Sequence, residues 1–108
     1  MKTDETYNGY TNYETWVVNL WMDNEQGSQE FFRETAKQIH AETDAYGTAF
    51  TVAELARIRF ADWLKQYYAD ENRPEYVRGL YGDLLNAALS EINWLEIARN
   101  YITTEEKV

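Results

Sequence analysis

His40 is the only histidine in the chain and the first place to look for metal or acid–base chemistry. Asp44 follows at i+4, on the same side of a helix, whereas Glu42 points elsewhere, so at most two ligands converge. Transition-metal sites need three or four ligands in defined geometry, and the chain has neither an HExxH nor a pair of Glu-x-x-His segments. His40 therefore reads as a structural or surface residue, and no metal or cofactor is expected. Asp23-Asn24-Glu25-Gln26-Gly27 has the composition of a calcium loop without its alternating register or closing glutamate. It reads instead as a helix end with Gly27 as the cap. Carboxylate pairs such as Glu30/Glu34 and Asp70/Glu71 could do glycosidase-type work, but nineteen acids in 108 residues make such pairs inevitable. Ser28, Thr51 and Ser90 lack a nucleophile-elbow context, no glycine loop is built to cradle phosphate, and without cysteine there is no thiolate chemistry. The chain is expected not to be an enzyme and to act by presenting a surface.

The charge indicates what kind of surface. Nineteen acids against ten bases give −9; residues 1–54 hold ten acids and three bases, net −7, and residues 55–108 hold nine and seven, net −2. Such a field repels nucleic-acid phosphates and attracts a basic protein over about 10 Å. Direct DNA or RNA binding, which needs clustered Lys and Arg, is not expected. A protein partner with a basic surface is. The residues expected to form its acidic contact face are Asp23, Glu25, Glu30, Glu34, Glu42 and Asp44. Tyr7, Tyr10 and Tyr68 are the expected aromatic anchors, because Tyr and Trp concentrate at binding hot spots. The alternative is a structural or regulatory homo-oligomer that buries its surplus aromatics between subunits. Nothing resembles a secretory leader or a membrane span, so a cytoplasmic, membrane-free protein is expected.

These side chains need elements to position them. The length fits one all-α domain spanning 1–108, a bundle of about five helices, with 1–10 as a flexible or extended arm turning at Asn8-Gly9 and 103–108 as a frayed tail. Thr11 to Glu14 has the spacing of a capping box, and Trp16, Val17, Leu20 and Trp21 form the stripe of the helix it opens. Ser28 is the expected cap of a second helix that closes at Tyr46-Gly47. Thr51 and Glu54 box the start of a central helix with the stripe Val52, Leu55, Ala56, Arg59, Trp63 and Tyr67, widened by Phe60 and Leu64. After the break at Pro74, either Tyr76 or Val77, with Leu80, Tyr81, Leu84, Leu85 and Ala88, forms the next apolar face. Within it either Gly79 or Gly82 marks a close helix approach, a later helix start, or a loop. Asn93 caps the last helix, with Glu96 three residues on.

The segment Tyr7-Asn8-Gly9-Tyr10-Thr11-Asn12-Tyr13-Glu14-Thr15-Trp16, continued by Val18-Asn19-Leu20-Trp21 and Asp23-Asn24-Glu25, resembles the signature of a family of small, mostly uncharacterised proteins from bacteriophages, mobile elements, bacteria and archaea. Leu84 to Trp94, followed by Glu96-Ile97-Ala98, is similar to the end of the same proteins. The resemblance implies no established activity and no catalytic residues. A mobile-element setting implies a host-defence inhibitor, since some small acidic phage proteins imitate duplex DNA inside restriction or CRISPR machinery. Ten bases interrupt the field here, so the mimicry expected is local, on the acidic face within 1–54.

Overall fold

Polar residues decide where each helix begins and ends. A computed structural model describes residues 6–74 and 77–105, in which five α-helices and no strand occur. Helix α1, Tyr13–Asn24, is capped by Asn12, whose side-chain oxygen accepts from the Thr15 amide at 2.9 Å. The expected Thr11–Glu14 box does not form; the Thr11 amide donates to Glu96 Oε1 instead, which moves the cap one residue on. Helix α2, Gln26–Glu42, follows after the single extended residue Glu25. Gly27 and Ser28 therefore lie inside its first turn rather than capping either helix. The end of α2 comes at Glu42, and Tyr46-Gly47 belongs to a separate turn.

Helix α3, Val52–Lys65, starts with the full capping box of Thr51 and Glu54, bonded in both directions at 2.9 and 3.1 Å. It runs on into a wider π-helical turn, Gln66–Glu71, closed by the Asn72 amide on the Tyr67 carbonyl. Helix α4 is Gly79–Glu91, and α5 is Trp94–Tyr101 with Asn93 accepting from the Glu96 amide at 3.1 Å. Beyond α5, Arg57 holds the chain by donating to the Ile102 carbonyl at 2.6 Å and lying 3.8 Å from the Glu105 carboxylate. Residues 106–108 of the expected tail lie outside the described residues. Among the described residues no helix is long and apolar enough to cross a membrane.

The core forms where α3 packs between α5 and α2. Ala53 and Ala56 of α3 and Ala98 of α5 are fully buried, so small side chains let these helices approach closely, with Phe60, Leu64, Phe32, Trp94 and Ile97 filling the remaining space. The buried stripe of α3 is thus Ala53, Ala56, Phe60 and Leu64; Arg59, expected within it, faces solvent. Rings extend this core: Trp63 stacks on Tyr67 at 5.1 Å, and Tyr68 on Trp94 at 5.9 Å.

Two helices depart from the expected pattern. In α1 the buried side is Thr15, Asn19 and Met22, while Trp21 is exposed and Trp16 half-buried, because the two polar side chains turn toward the C-terminal segment, where Asn93 and Asn100 donate to them. In α4, which packs chiefly on α1, the expected buried face turns outward: Leu80, Tyr81 and Leu84 are 68%, 72% and 56% exposed. Tyr76 lies outside the described residues. Gly79 has φ +63° and opens the helix, and a Cβ on the buried Gly82 would come within 3.2 Å of the Val77 carbonyl oxygen. The later start therefore applies, whereas what crowds Gly82 is the backbone of Val77 just ahead of the same helix and not a neighbouring helix.

Candidate functional site

The two chain ends meet along a polar seam on α1. Thr15 Oγ1 donates to Asn12 Oδ1 at 2.6 Å and accepts the Asn93 amide at 2.8 Å. Asn12 Nδ2 donates to the Glu91 carbonyl at 2.6 Å, and Asn93 Nδ2 donates to Thr11 Oγ1 at 3.2 Å. One turn on, Asn19 accepts from Asn100 Nδ2 at 3.1 Å and donates to Asp23 Oδ2 at 2.7 Å. Asp23 Oδ1 takes the Tyr101 hydroxyl at 2.6 Å. Burial first, then the bond to Asp23 and its negative charge, push the Tyr101 hydroxyl far above its ordinary value. Both oxygens of Asp23, expected on the acidic face, are therefore engaged by hydrogen bonds within the chain, although the residue is exposed.

All six expected acids are exposed, and the other five do not share Asp23's bonds to Asn19 and Tyr101. Glu25 accepts from the Ser28 hydroxyl at 3.1 Å at the α1–α2 junction. With about 100° of turn per residue, Glu30, Glu34 and Glu42 fall within about 120° on one flank of α2. Arg33, Lys37 and His40 fall on the neighbouring flank, so the acids are not interleaved with the bases. Glu42 accepts from Gln38 at 3.2 Å, and none of the six acids forms an ion pair among the described residues, where Arg57–Glu105 is the one such pair.

Just past Glu42 lies a residue that sequence reasoning passed over. Tyr46 is 94% exposed, on a turn pinned at several points. Its amide donates to Asp44 Oδ1 at 2.9 Å, and the Thr48 amide and hydroxyl both donate to the Ala45 carbonyl, at 3.0 and 2.7 Å. Gly47 supplies φ +82°. The available signal was Asp44 two residues before Tyr46, the spacing of an aspartate turn, with glycine next. Neither helix can bury a ring placed there.

The expected anchors lie elsewhere. Tyr7 is partly exposed, its ring against Tyr13 and Trp16 at 5.1 and 5.0 Å. Its backbone pairs with Tyr10 at 2.7 and 2.8 Å across Asn8-Gly9, both at positive φ, the two-residue turn that Asn-Gly favours. Residues 6–10 of the expected arm thus fold back on α1, while 1–5 lie outside the described residues. The Tyr10 hydroxyl, raised in pKa by burial and then by the charges of Asp23 and Glu96, accepts from Asn100 at 3.3 Å. Tyr68 is a core ring, stacked on Trp94 and Phe32, its hydroxyl pushed up to about 12 by burial and then by Tyr67 and Glu25. Of the three, Tyr7 offers the most surface.

His40 is 4% exposed and its Nε2 has no hydrogen-bond partner among the described residues. It borders a groove of about 430 Å³ with Arg33, Lys37, Asp23 and Tyr101. Asp44, its i+4 neighbour, caps the Tyr46 turn. Among the described residues no three His, Cys, Asp or Glu side chains gather to hold a metal ion.

No curated protein and no solved structure matches the chain. A family model matches residues 3–98, which takes in the Asn-Gly turn, the seam apart from Asn100 and Tyr101, the α2 flank, the Tyr46 turn and α4, and the chain belongs to that family, DUF7249, a family of unknown function.

Proposed function

We propose that this chain is an acidic, non-catalytic protein-binding module that docks a partner with a basic surface along the outer flank of α2, anchored by Tyr46. The observation that carries this reading is the exposure of Tyr46 on a pinned turn immediately beyond Glu42 and Asp44. The pinned backbone leaves only the two side-chain torsions of Tyr46 to be ordered when the ring is covered, and tyrosine is among the residues that dominate binding energy. Glu30, Glu34 and Glu42 extend the same edge over about 18 Å of helix. Without an ion pair among the described residues, they steer a basic surface toward the ring.

In its finer form the proposal is a phage-type inhibitor of a nucleic-acid-handling host-defence complex in the cytoplasm. The flank's carboxylates would then occupy positions that phosphates take in a basic groove. Arg33 and Lys37 on the adjoining flank confine such mimicry to one edge.

The test is affinity capture from host extract at low and high salt, with the bound protein identified by mass spectrometry. Wild type is compared with Tyr46→Ser and with a Glu30→Lys, Glu34→Lys, Glu42→Lys, Asp44→Lys variant. Capture should weaken by about thirtyfold in Tyr46→Ser, disappear in the charge-reversed variant, and fade as salt rises. Unchanged yield of the same protein from the charge-reversed variant would sink the proposal. Displacement of DNA from the captured complex by the chain is the check on the inhibitor form.

A further inference from the structure

We infer that the outward face of α4 is a self-association surface, covered by α4 of a second copy packed antiparallel about a two-fold axis beside Leu84. The surface is separate from the α2 flank and does not depend on that reading. Leu80, Tyr81, Leu84, Ala87, Ala88 and Glu91 share about 120° of the helix. The first three are the exposed large apolar side chains of α4, and Leu89, on the helix's other side, packs against the core. Contiguous exposed apolar side chains on a regular helix mark an interface more often than a solvated face.

The face is complementary to itself, which argues for a second copy. Its bulky residues, Leu80 and Tyr81, occupy the first half of α4, and its small ones, Ala87 and Ala88, the second half. A two-fold antiparallel pairing sets Leu80 of each copy against Ala87 of the other and Tyr81 against Ala88, large into small, with the two Leu84 side chains meeting at the axis. The same pairing brings Arg78, at the start of one α4, to Glu91, at the end of the other, twice. Neither Arg78 nor the Glu91 carboxylate has an ion-pair partner within the described chain. Asp83 stays at the rim, where salt screens the repulsion between copies. A parallel arrangement would oppose bulk to bulk and like charge to like charge.

Sedimentation equilibrium on the full chain from about 1 µM to about 1 mM tests the inference. The mass should rise from one copy to two, and Leu84→Glu should leave a monomer with unchanged helix content. Arg78→Glu and Glu91→Arg should each weaken association by about tenfold, and the double variant Arg78→Glu, Glu91→Arg should return to within about threefold of wild type. A monomer throughout assigns the face to a different protein and overturns the inference. A double variant no better than either single one overturns the antiparallel pairing. Tyr46 and α2 variants should leave the mass unchanged, which separates this surface from the docking edge.

Discussion

Replacing Thr15 by valine tests whether the polar seam, rather than apolar packing, holds α1 to the C-terminal helix. The side chains are close to isosteric, both are β-branched, and their helix propensities are similar, so the change removes little but a hydroxyl. That hydroxyl donates to Asn12 and accepts the Asn93 amide from 78 residues away, and Thr15 is fully buried. Two hydrogen bonds are lost at about 1 kcal/mol each. The Asn93 amide is left facing a methyl group, and an unpaired buried donor adds about 1–2 kcal/mol more. The expected loss is therefore about 3–4 kcal/mol, or about 13–17 °C in Tm for a domain of this size.

Urea unfolding followed by circular dichroism measures the loss, with Thr15→Ser as the control. Serine keeps both bonds and removes one methyl, at about 1 kcal/mol. The midpoint should fall with an unchanged slope, since the unfolded chain exposes the same surface. A Thr15→Val protein within about 0.5 kcal/mol of wild type, or one more stable than Thr15→Ser, would refute the claim that the seam is held by its hydrogen bonds.

Other outcomes follow from single sites. Gly47→Ala places a side chain at φ +82° with no neighbour to reward it; it should cost about 1 kcal/mol by urea titration and weaken partner capture in parallel with Tyr46→Ser. Thr51→Ala removes one half of the capping box and should destabilise by about 1 kcal/mol in the same assay. His40→Leu replaces a buried ring whose Nε2 has no partner among the described residues, so thermal melting should show equal or higher stability; a loss above about 2 kcal/mol would mean that nitrogen is bonded. The Tyr68 hydroxyl sits at about 12 in the fold against an ordinary 10.0, so the fold favours its neutral form. Its contribution is fully present below pH 10 and is lost as pH climbs toward 12. Tyr68→Phe, with no proton to lose, should retain more of its neutral-pH stability than wild type in alkaline melts.

Local chemistry made much of the fold legible. Thr51 with Glu54 and Asn93 at α5 satisfy amides within their own turns, and Asn8-Gly9 adopts positive φ where that dipeptide favours it; none of these needs a distant partner. Errors arose where a distant partner decides. Thr11 and Glu14 had the right spacing for a box, but Glu96 and Asn93 compete for Thr11 and leave Asn12 to cap. The spacing of the aromatics in α1 predicts a buried stripe on the rule that polarity marks the outer face, whereas Asn100 and Asn93 satisfy Asn19 and Thr15 and let that polar side be the buried one. At the candidate site, composition indicated the acids, and helical periodicity placed three of them on one flank. The Tyr46 turn was missed because an exposed ring leaves no periodic trace, and Tyr68 was misplaced because the π-helical turn keeps it against Trp94.

The seam also accounts for α4 standing apart from the core. Bonds from Asn12 to Glu91 and from Asn93 to Thr15 fix the C-terminal end of α4, and the packing of α3 on α5 fixes the elements on either side of it. A helix held in this way is positioned without burying its own apolar face, so Leu80, Tyr81 and Leu84 are not needed to complete the core. Hydrogen bonds supply this positioning better than apolar contacts would, because they are directional and tolerate little sliding. The polar interior of α1 and the apolar exterior of α4 are thus two sides of one arrangement. Directional bonds between the chain ends hold the frame, and the apolar surface left over on α4 is free to meet another molecule.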